Sequence, residues 1–397
     1  MKRFIYTTGM AFLLLLFPSY TFAKDELPQL KMEDHEEIPS TILIEQQSGQ
    51  ILYEKNMHEK RAPASMTKMM TLLLIMEAID DGELTMDEQI TVSERASSMG
   101  GSQVFLEVGE EMSTEDLIKA IAIASANDAS VALAERIAGS EAAFVDKMNQ
   151  KVTALNLENT HFTNASGLPG KNHYSTAYDM AMIARELLQY EDITKYTSIY
   201  EDYLREGKTN EFWLVNTNKL VRTNEYVDGL KTGYTKEAKF CLTASATKDG
   251  MRMITVVMGA EKSSERNEFT SQLLHQAFQS YEVETVVDEN KPVATLYDER
   301  TRKVEYPLQI KSPITILKKK GRQVTEEVEV IHEYDDNIRF PIEKGTKVGK
   351  VIVQVDGETL AENPLIVTEQ VNYASIPTLF KRVIQEMTKT HGKEKTL

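Results

Sequence analysis

The spacing of apolar residues changes character several times along the chain. Residues 10–17, MAFLLLLF, form an unbroken apolar run behind Lys2 and Arg3. Thr41–Tyr53, TILIEQQSGQILY, then alternates and predicts two short strands turning at Ser48-Gly49. From Ser65 onward, SMTKMMTLLLIMEAI is apolar on nearly every side, which predicts a buried helix. Ser113-Thr114-Glu115-Asp116 has the form of a capping box opening LIKAIAIASA, and further helices are expected over 128–137, 141–155 and 177–188. Beyond Val227 the period falls to two. VDGLKTGYT, KFCLTASAT and MRMITVVMGA are separated by turn-like residues 236–238 and 248–250, so three adjacent antiparallel strands are expected, followed by a helix over 266–281. Residues 24–282 therefore read as one α/β (α+β) domain, an antiparallel sheet flanked by helices whose first two strands come from the N-terminal hairpin.

Residues 283–375 change again, to short alternating strands such as ITILKKKG and KVGKVIVQVDGETLAENPLIV divided by Gly and Asp-Gly turns. A small all-β sandwich domain is expected there, and it gathers no catalytic constellation. The last segment, 376–397, places Ile376, Leu379, Phe380, Val383, Ile384 and Met387 on one helical stripe, with Lys381, Arg382 and Lys389 away from it. Such a helix suits the interface of a membrane, with docking on its own β domain as the alternative. It is too short and too charged to span a bilayer.

The first 23 residues read as a removed secretory signal. Lys2 and Arg3 precede the apolar run, Thr21-Phe22-Ala23 closes it, and eight apolar residues fall far short of a span. The mature chain is then exported, either secreted or held at the outer face of the cytoplasmic membrane. The formal charge of −16 becomes −18 when Lys2 and Arg3 leave, which argues against nucleic acid as a partner. In the tail the sign reverses, with five Lys or Arg against two Glu in 376–397. The single cysteine, Cys241, excludes an intramolecular disulfide and sits in a strand pattern where packing is the expected role.

The chemistry begins with Ser65 and Lys68, polar residues three apart at the start of the apolar helix. On a helix they share a face, and a desolvated lysine near Met69, Met70 and Leu72 would lose its ammonium form and could take the serine's proton. A second Ser-x-x-Lys, Ser245 and Lys248, lies on a strand, where residues three apart face opposite ways. Ser125-Ala126-Asn127 falls where one helix ends and the next begins; Asn127 or Asp128 could equally cap that helix. Lys231-Thr232-Gly233 lies on a strand, where the plain reading is a solvated edge with Gly233 at a bulge or a close backbone approach. The seven histidines show no metal-ligand spacing, so no metal and no cofactor is implied.

The order Ser-x-x-Lys, Ser-x-Asn, Lys-Thr-Gly resembles the penicillin-recognising serine enzymes. PASMTK, IASANDAS, NASGL and DGLKTGYT, with the order of signal, catalytic, β-rich and tail segments, resemble the low-molecular-weight penicillin-binding proteins that are serine-type D-alanyl-D-alanine carboxypeptidases. ASMGGSQVFLEVGEEM, YEDYLRE and FWLVNTNKL are similar to sporulation-type members of Gram-positive spore formers. The resemblance implies the penicillin-binding-protein/β-lactamase-like transpeptidase fold, and peptidoglycan pentapeptides ending in D-Ala-D-Ala and β-lactams as ligands. Wall peptides would be trimmed, with the spore cortex one setting. It further implies Ser65 as nucleophile, Lys68 as base, Ser125 as proton relay and Asn127 holding the substrate amide. Lys231 and Thr232 would bind the terminal carboxylate, with Gly233 beside them and the N–H groups of Ser65 and Tyr234 forming the oxyanion hole. Three rivals stand beside this reading. A β-lactamase would need a deacylating Glu, and Glu158 in LENTHFTNASGLPG lacks the expected pattern. An idle wall-binding protein would have no need of Ser65 or Lys231. Transpeptidation uses the same groups as hydrolysis.

Overall fold

The computed structural model describes residues 29–32, 35–322, 327–335 and 337–391; the expected signal segment lies outside them. Its central sheet runs, edge to edge, Ile51–Lys55, Ser40–Glu45, Met251–Ala260, Lys239–Lys248 and Val227–Thr235, antiparallel throughout. The N-terminal hairpin thus supplies two strands beside the three later ones, as their alternation implied.

Alternation also decides what covers each face. Ile42, Ile44, Ile254 and Val256 face one core, with the helices Lys68–Asp80, Asn127–Ala138 and Ala177–Leu187. Leu43, Met253 and Leu242 face the other, where Leu274 and Ala277 of the helix Ser263–Ser280 cover them. The first of these helices is buried at every residue from Lys68 to Met76, which explains a sequence with no polar stripe. Ser113 caps the helix Thr114–Ala124, its hydroxyl accepting from Asp116 N at 3.1 Å. The helix expected over 266–281 spans Ser263–Ser280 instead; its first turn, Ser263-Ser264-Glu265, is polar and carries no apolar period, and Tyr281 opens the next strand. Cys241 is fully buried opposite Gly233, and burial pushes its thiol up to about 11.

Beyond this unit, Ala294–Tyr297, Glu305–Ile310, Glu358–Val367, Lys347–Val355 and Val328–Tyr334 form a second five-stranded sheet in that order. A two-stranded ribbon, Tyr281–Val287 with Ile314–Lys319, bridges the two regions. Its Val287 and Ile314 enter the core of the second sheet with Leu308, Val351 and Leu365, while its Tyr281 and Leu317 pack with Phe278 and Leu242 of the first. Gln47 pins the seam: its amide donates to Pro313 O at 2.7 Å and accepts from Thr315 N at 2.6 Å.

The helix Ile376–His391 leaves its apolar stripe in solvent, with Ile376, Phe380, Val383, Ile384 and Met387 all exposed. The stripe is not what docks. Arg382 holds the helix instead, donating to the carbonyls of Glu299, Thr301 and Arg302 at 2.7 Å each. Among the described residues no helix is long and apolar enough to cross a membrane.

Candidate active site

Ser65 lies in a 3-10 turn, Ala64–Thr67, that feeds the buried helix. Two glycines let neighbouring chain segments close on this turn. A Cβ on Gly167 would stand 1.9 Å from Ala64 O, and one on Gly233 would stand 2.8 Å from Pro63 O, so neither position accepts a side chain without movement. Gly233 therefore marks a close approach; the irregular register of its strand lies elsewhere, between Val227 and Gly229.

Lys68 is completely buried, and its Nζ donates to Ser65 Oγ at 3.1 Å, Asn127 Oδ1 at 2.6 Å and Ser166 O at 2.6 Å. Burial holds its pKa well below the usual lysine range, the charge of Lys231 lowers it further, and Asp128 opposes both. The sequence reading assigned the desolvation to Met69, Met70 and Leu72. The amine instead sits in a polar cage, and its low pKa reflects exclusion from water together with a second cation. A neutral amine here has a lone pair to accept the Ser65 proton, which is the requirement for a general base.

Ser125 occupies the left-handed region, φ 64°, at the end of the helix Thr114–Ala124, a costly conformation for a residue with a Cβ. Two residues on, Asn127 is tied at both ends of its amide. Its Nδ2 donates to Gly100 O at 2.6 Å, its Oδ1 accepts from Lys68, and its N–H donates to Ser102 O at 2.7 Å. The capping alternative fails here, because Ala126 occupies the cap position. The buried Asp128 carboxylate accepts from Val104 N and Leu106 N at 3.0 and 3.1 Å, fixing the loop beside Asn127.

Lys231 and Thr232 lie on the edge strand of the central sheet yet are nearly inaccessible, so the solvated-edge reading does not hold. Lys231 Nζ donates to Thr232 O at 3.1 Å, and burial brings its pKa to about 7, with the neighbouring Arg266 charge contributing. Thr232 Oγ1 lies 2.7 Å from Thr217 Oγ1. Arg266 is itself buried, its Nη1 donating to Cys241 O at 3.1 Å. Tyr234 is exposed, its ring centroid 4.5 Å from that of Phe240. Arg266, and Lys231 when protonated, leave buried positive charge in the region. An anionic group entering it would be attracted.

Direct hydrogen bonds thus join Ser65, Lys68 and Asn127, and Gly233 brings the strand of Lys231 and Thr232 against the Ser65 turn. The second Ser-x-x-Lys does not assemble: Ser245 Oγ accepts from Arg252 at 2.6 Å, while Lys248 Nζ lies 4.6 Å from the centre of the Tyr226 ring. Glu158 is exposed. His173 is buried between Thr67 and Thr163 and held to about 4 by burial, a neutral packing residue. Sequence reasoning gave no role to Arg266, Thr217 or Asn164 and offered Asp128 only as a helix cap. Asn164 Oδ1 gathers Gly167 N at 2.7 Å and Leu168 N at 3.1 Å and so shapes the loop that presents Ser166 O to Lys68. An Asn two residues before Ser-Gly is the one signal that could have marked it.

Comparison with known proteins yields a consistent set of matches. Residues 29–262 match the D-alanyl-D-alanine carboxypeptidase peptidase family, and residues 281–373 match the C-terminal domain of penicillin-binding protein 5. The chain is 48% identical over 389 residues to the D-alanyl-D-alanine carboxypeptidase DacF of Bacillus subtilis, covering 98% of this chain and 100% of that one. Penicillin-binding protein 5 of Haemophilus influenzae aligns with a TM-score of 0.64 and 32% identity, over 86% of this chain and 99% of that one. Penicillin-binding protein D2 of Listeria monocytogenes, solved in its cefotaxime-bound form, aligns at 0.57 and 30% over 62% of this chain and 100% of that one.

Proposed function

The chain belongs to the D-alanyl-D-alanine carboxypeptidases, serine hydrolases of the bacterial cell wall, and from that premise we propose the following division of labour in its site. Ser65 Oγ attacks the carbonyl of the penultimate D-Ala while neutral Lys68 takes its proton. The N–H groups of Ser65 and Tyr234 receive the developing oxyanion, each such donor contributing about 3 kcal/mol at the transition state. Ser125 passes the proton to the leaving amine, D-alanine departs, and water hydrolyses the acyl-enzyme. Asn127, with one N–H still unclaimed by its two amide partners, holds the substrate's amide. Lys231 and Thr232 bind the terminal carboxylate, because a charge-assisted hydrogen bond discriminates a free acid from a continuing peptide. Gly233 keeps this strand close to the nucleophile. A β-lactam would acylate Ser65 by the same attack.

One observation carries this reading: a wholly buried lysine amine 3.1 Å from the Ser65 hydroxyl. The test is D-alanine release from a peptide ending in Lys-D-Ala-D-Ala, with penicillin labelling in parallel, for the protein and for Ser65→Ala. Both signals should vanish in the variant, by about 10⁴-fold or more for release. Labelling without release in the unaltered protein would favour transpeptidation or wall binding.

The basic run after Met1 supports export, and the exposed stripe of the last helix supports attachment to the outer face of the cytoplasmic membrane over simple secretion. Equal liposome binding by the full chain and by one ending at Tyr373 would sink the attachment. The 48% identity to the Bacillus subtilis enzyme supports work on spore-former walls, including the cortex.

A further inference from the structure

Thr232 has one hydroxyl hydrogen, and in this structure it is directed at Thr217 Oγ1, 2.7 Å away. A carboxylate can only accept hydrogen bonds. To bind one, Thr232 must withdraw that hydrogen from Thr217 and present it to the substrate, leaving its own oxygen in need of a donor.

Thr217 is placed to supply it. Its backbone N–H donates to Ile123 O at 3.2 Å, two residues before Ser125. On one side, the buried Asn216 donates through Nδ2 to Thr197 O at 3.0 Å and Ile199 O at 2.7 Å. On the other, the fully buried Asn218 donates through Nδ2 to Gly229 O at 2.9 Å, on the strand of Lys231, while its own N–H donates to Asn216 Oδ1 at 2.8 Å. Both asparagines are satisfied internally, so the segment 216–218 clamps the end of the Ser125 helix to the Lys-Thr-Gly strand. Only the Thr217 hydroxyl faces Thr232.

We propose that Thr217 is a positioning residue for carboxylate recognition: when substrate binds, its hydroxyl rotates to donate to Thr232 Oγ1, so that the Thr232 O–H points at, and is polarised toward, the substrate's terminal carboxylate. Hydrogen bonds in such a chain strengthen one another. This rests on the reading that Lys231 and Thr232 hold that carboxylate. Because the carboxylate is bound alike in ground and transition states, the effect belongs in KM and not in kcat.

The test compares a peptide ending in D-Ala-D-Ala with the same peptide amidated at its C-terminus, for the unaltered protein, Thr217→Val, Thr217→Ser and Thr232→Val. Thr217→Val should raise KM for the free acid about five- to tenfold, leave kcat within about twofold, and leave the amide unaffected. Thr217→Ser, which keeps the hydroxyl, should restore the original KM. If serine shifts KM as much as valine, Thr217 acts by packing and the proposal is overturned. If Thr232→Val raises KM for the free acid but Thr217→Val leaves it unchanged, this inference fails and the carboxylate reading stands. If Thr232→Val also leaves it unchanged, the carboxylate reading itself fails. Should Thr217→Val melt early, Thr217→Ala read at lower temperature serves in its place, with the same expected rise in KM.

Discussion

The two five-stranded sheets treat charge in opposite ways. Around the first, Lys68, Lys231 and Arg266 are all buried, and burial lowers the pKa of each. In the second, no charged side chain is buried among the described residues, and its ions pair at the surface, as Lys350 does with Glu362 and Glu333. Taking an ammonium out of water costs several kcal/mol, and surface pairs contribute little. A fold that buries three basic side chains in one region and none in the other accepts a desolvation cost in the first region alone. The contrast also bears on the proposed base: the Lys68 amine is both dry and hydrogen-bonded to the Ser65 hydroxyl, which apolar surroundings alone would not provide.

The largest test of this contrast is Lys68→Met. D-alanine release and β-lactam acylation should fall about 10³-fold or more, whereas stability should change little, since relief of desolvation offsets the loss of partners for Asn127 Oδ1 and Ser166 O. A variant that kept acylation would break the comparison at its strongest point. Leu365→Ala in the second sheet should do the reverse. Leu365 is fully buried, so its truncation should cost about 2–5 kcal/mol by denaturant titration, while kcat/KM under native conditions stays as it was. The smallest effect sharpens the role of charge. With Lys231 at about 7, the free enzyme holds the cation below that pH and loses it above, so kcat/KM for the free-acid peptide should fall by less than about tenfold between pH 7 and 8. The same linkage makes folding more favourable as pH rises from about 7 toward the ordinary lysine value, because the unfolded chain then binds the extra proton. An amidated peptide, which has no carboxylate to engage Lys231, should lack that decline.

Much of the frame could be read from period alone. Strands at Val227–Thr235, Lys239–Lys248 and Met251–Ala260 coincide with the three alternating runs, because each alternation matches one of two covered faces. The start of the helix Ser263–Ser280 was hidden because its first turn is solvated and has no apolar partner to declare it. At the site, Ser65 and Lys68 were legible because polar residues at helical spacing inside an apolar run need a reason. Asp128 and Thr217 were not. Their importance comes from contacts 22 to 24 and 15 residues away in sequence, with Leu106 and Val104 and with Thr232, and no local pattern encodes such distances. Asn127 shows the opposite failure: it was singled out for a ligand, whereas the contacts its amide makes are with Lys68 and Gly100 O.

Cys241 stands directly across the sheet from Gly233, buried, its thiol pushed up to about 11. A thiol so placed is silent to alkylating reagents while the sheet is closed and reacts once the strands part. The chain therefore carries its own clock: with one sulfhydryl and none to confuse it, the pace of alkylation at neutral pH would time the opening of the strand that lies against the Ser65 turn, with no residue introduced into the chain.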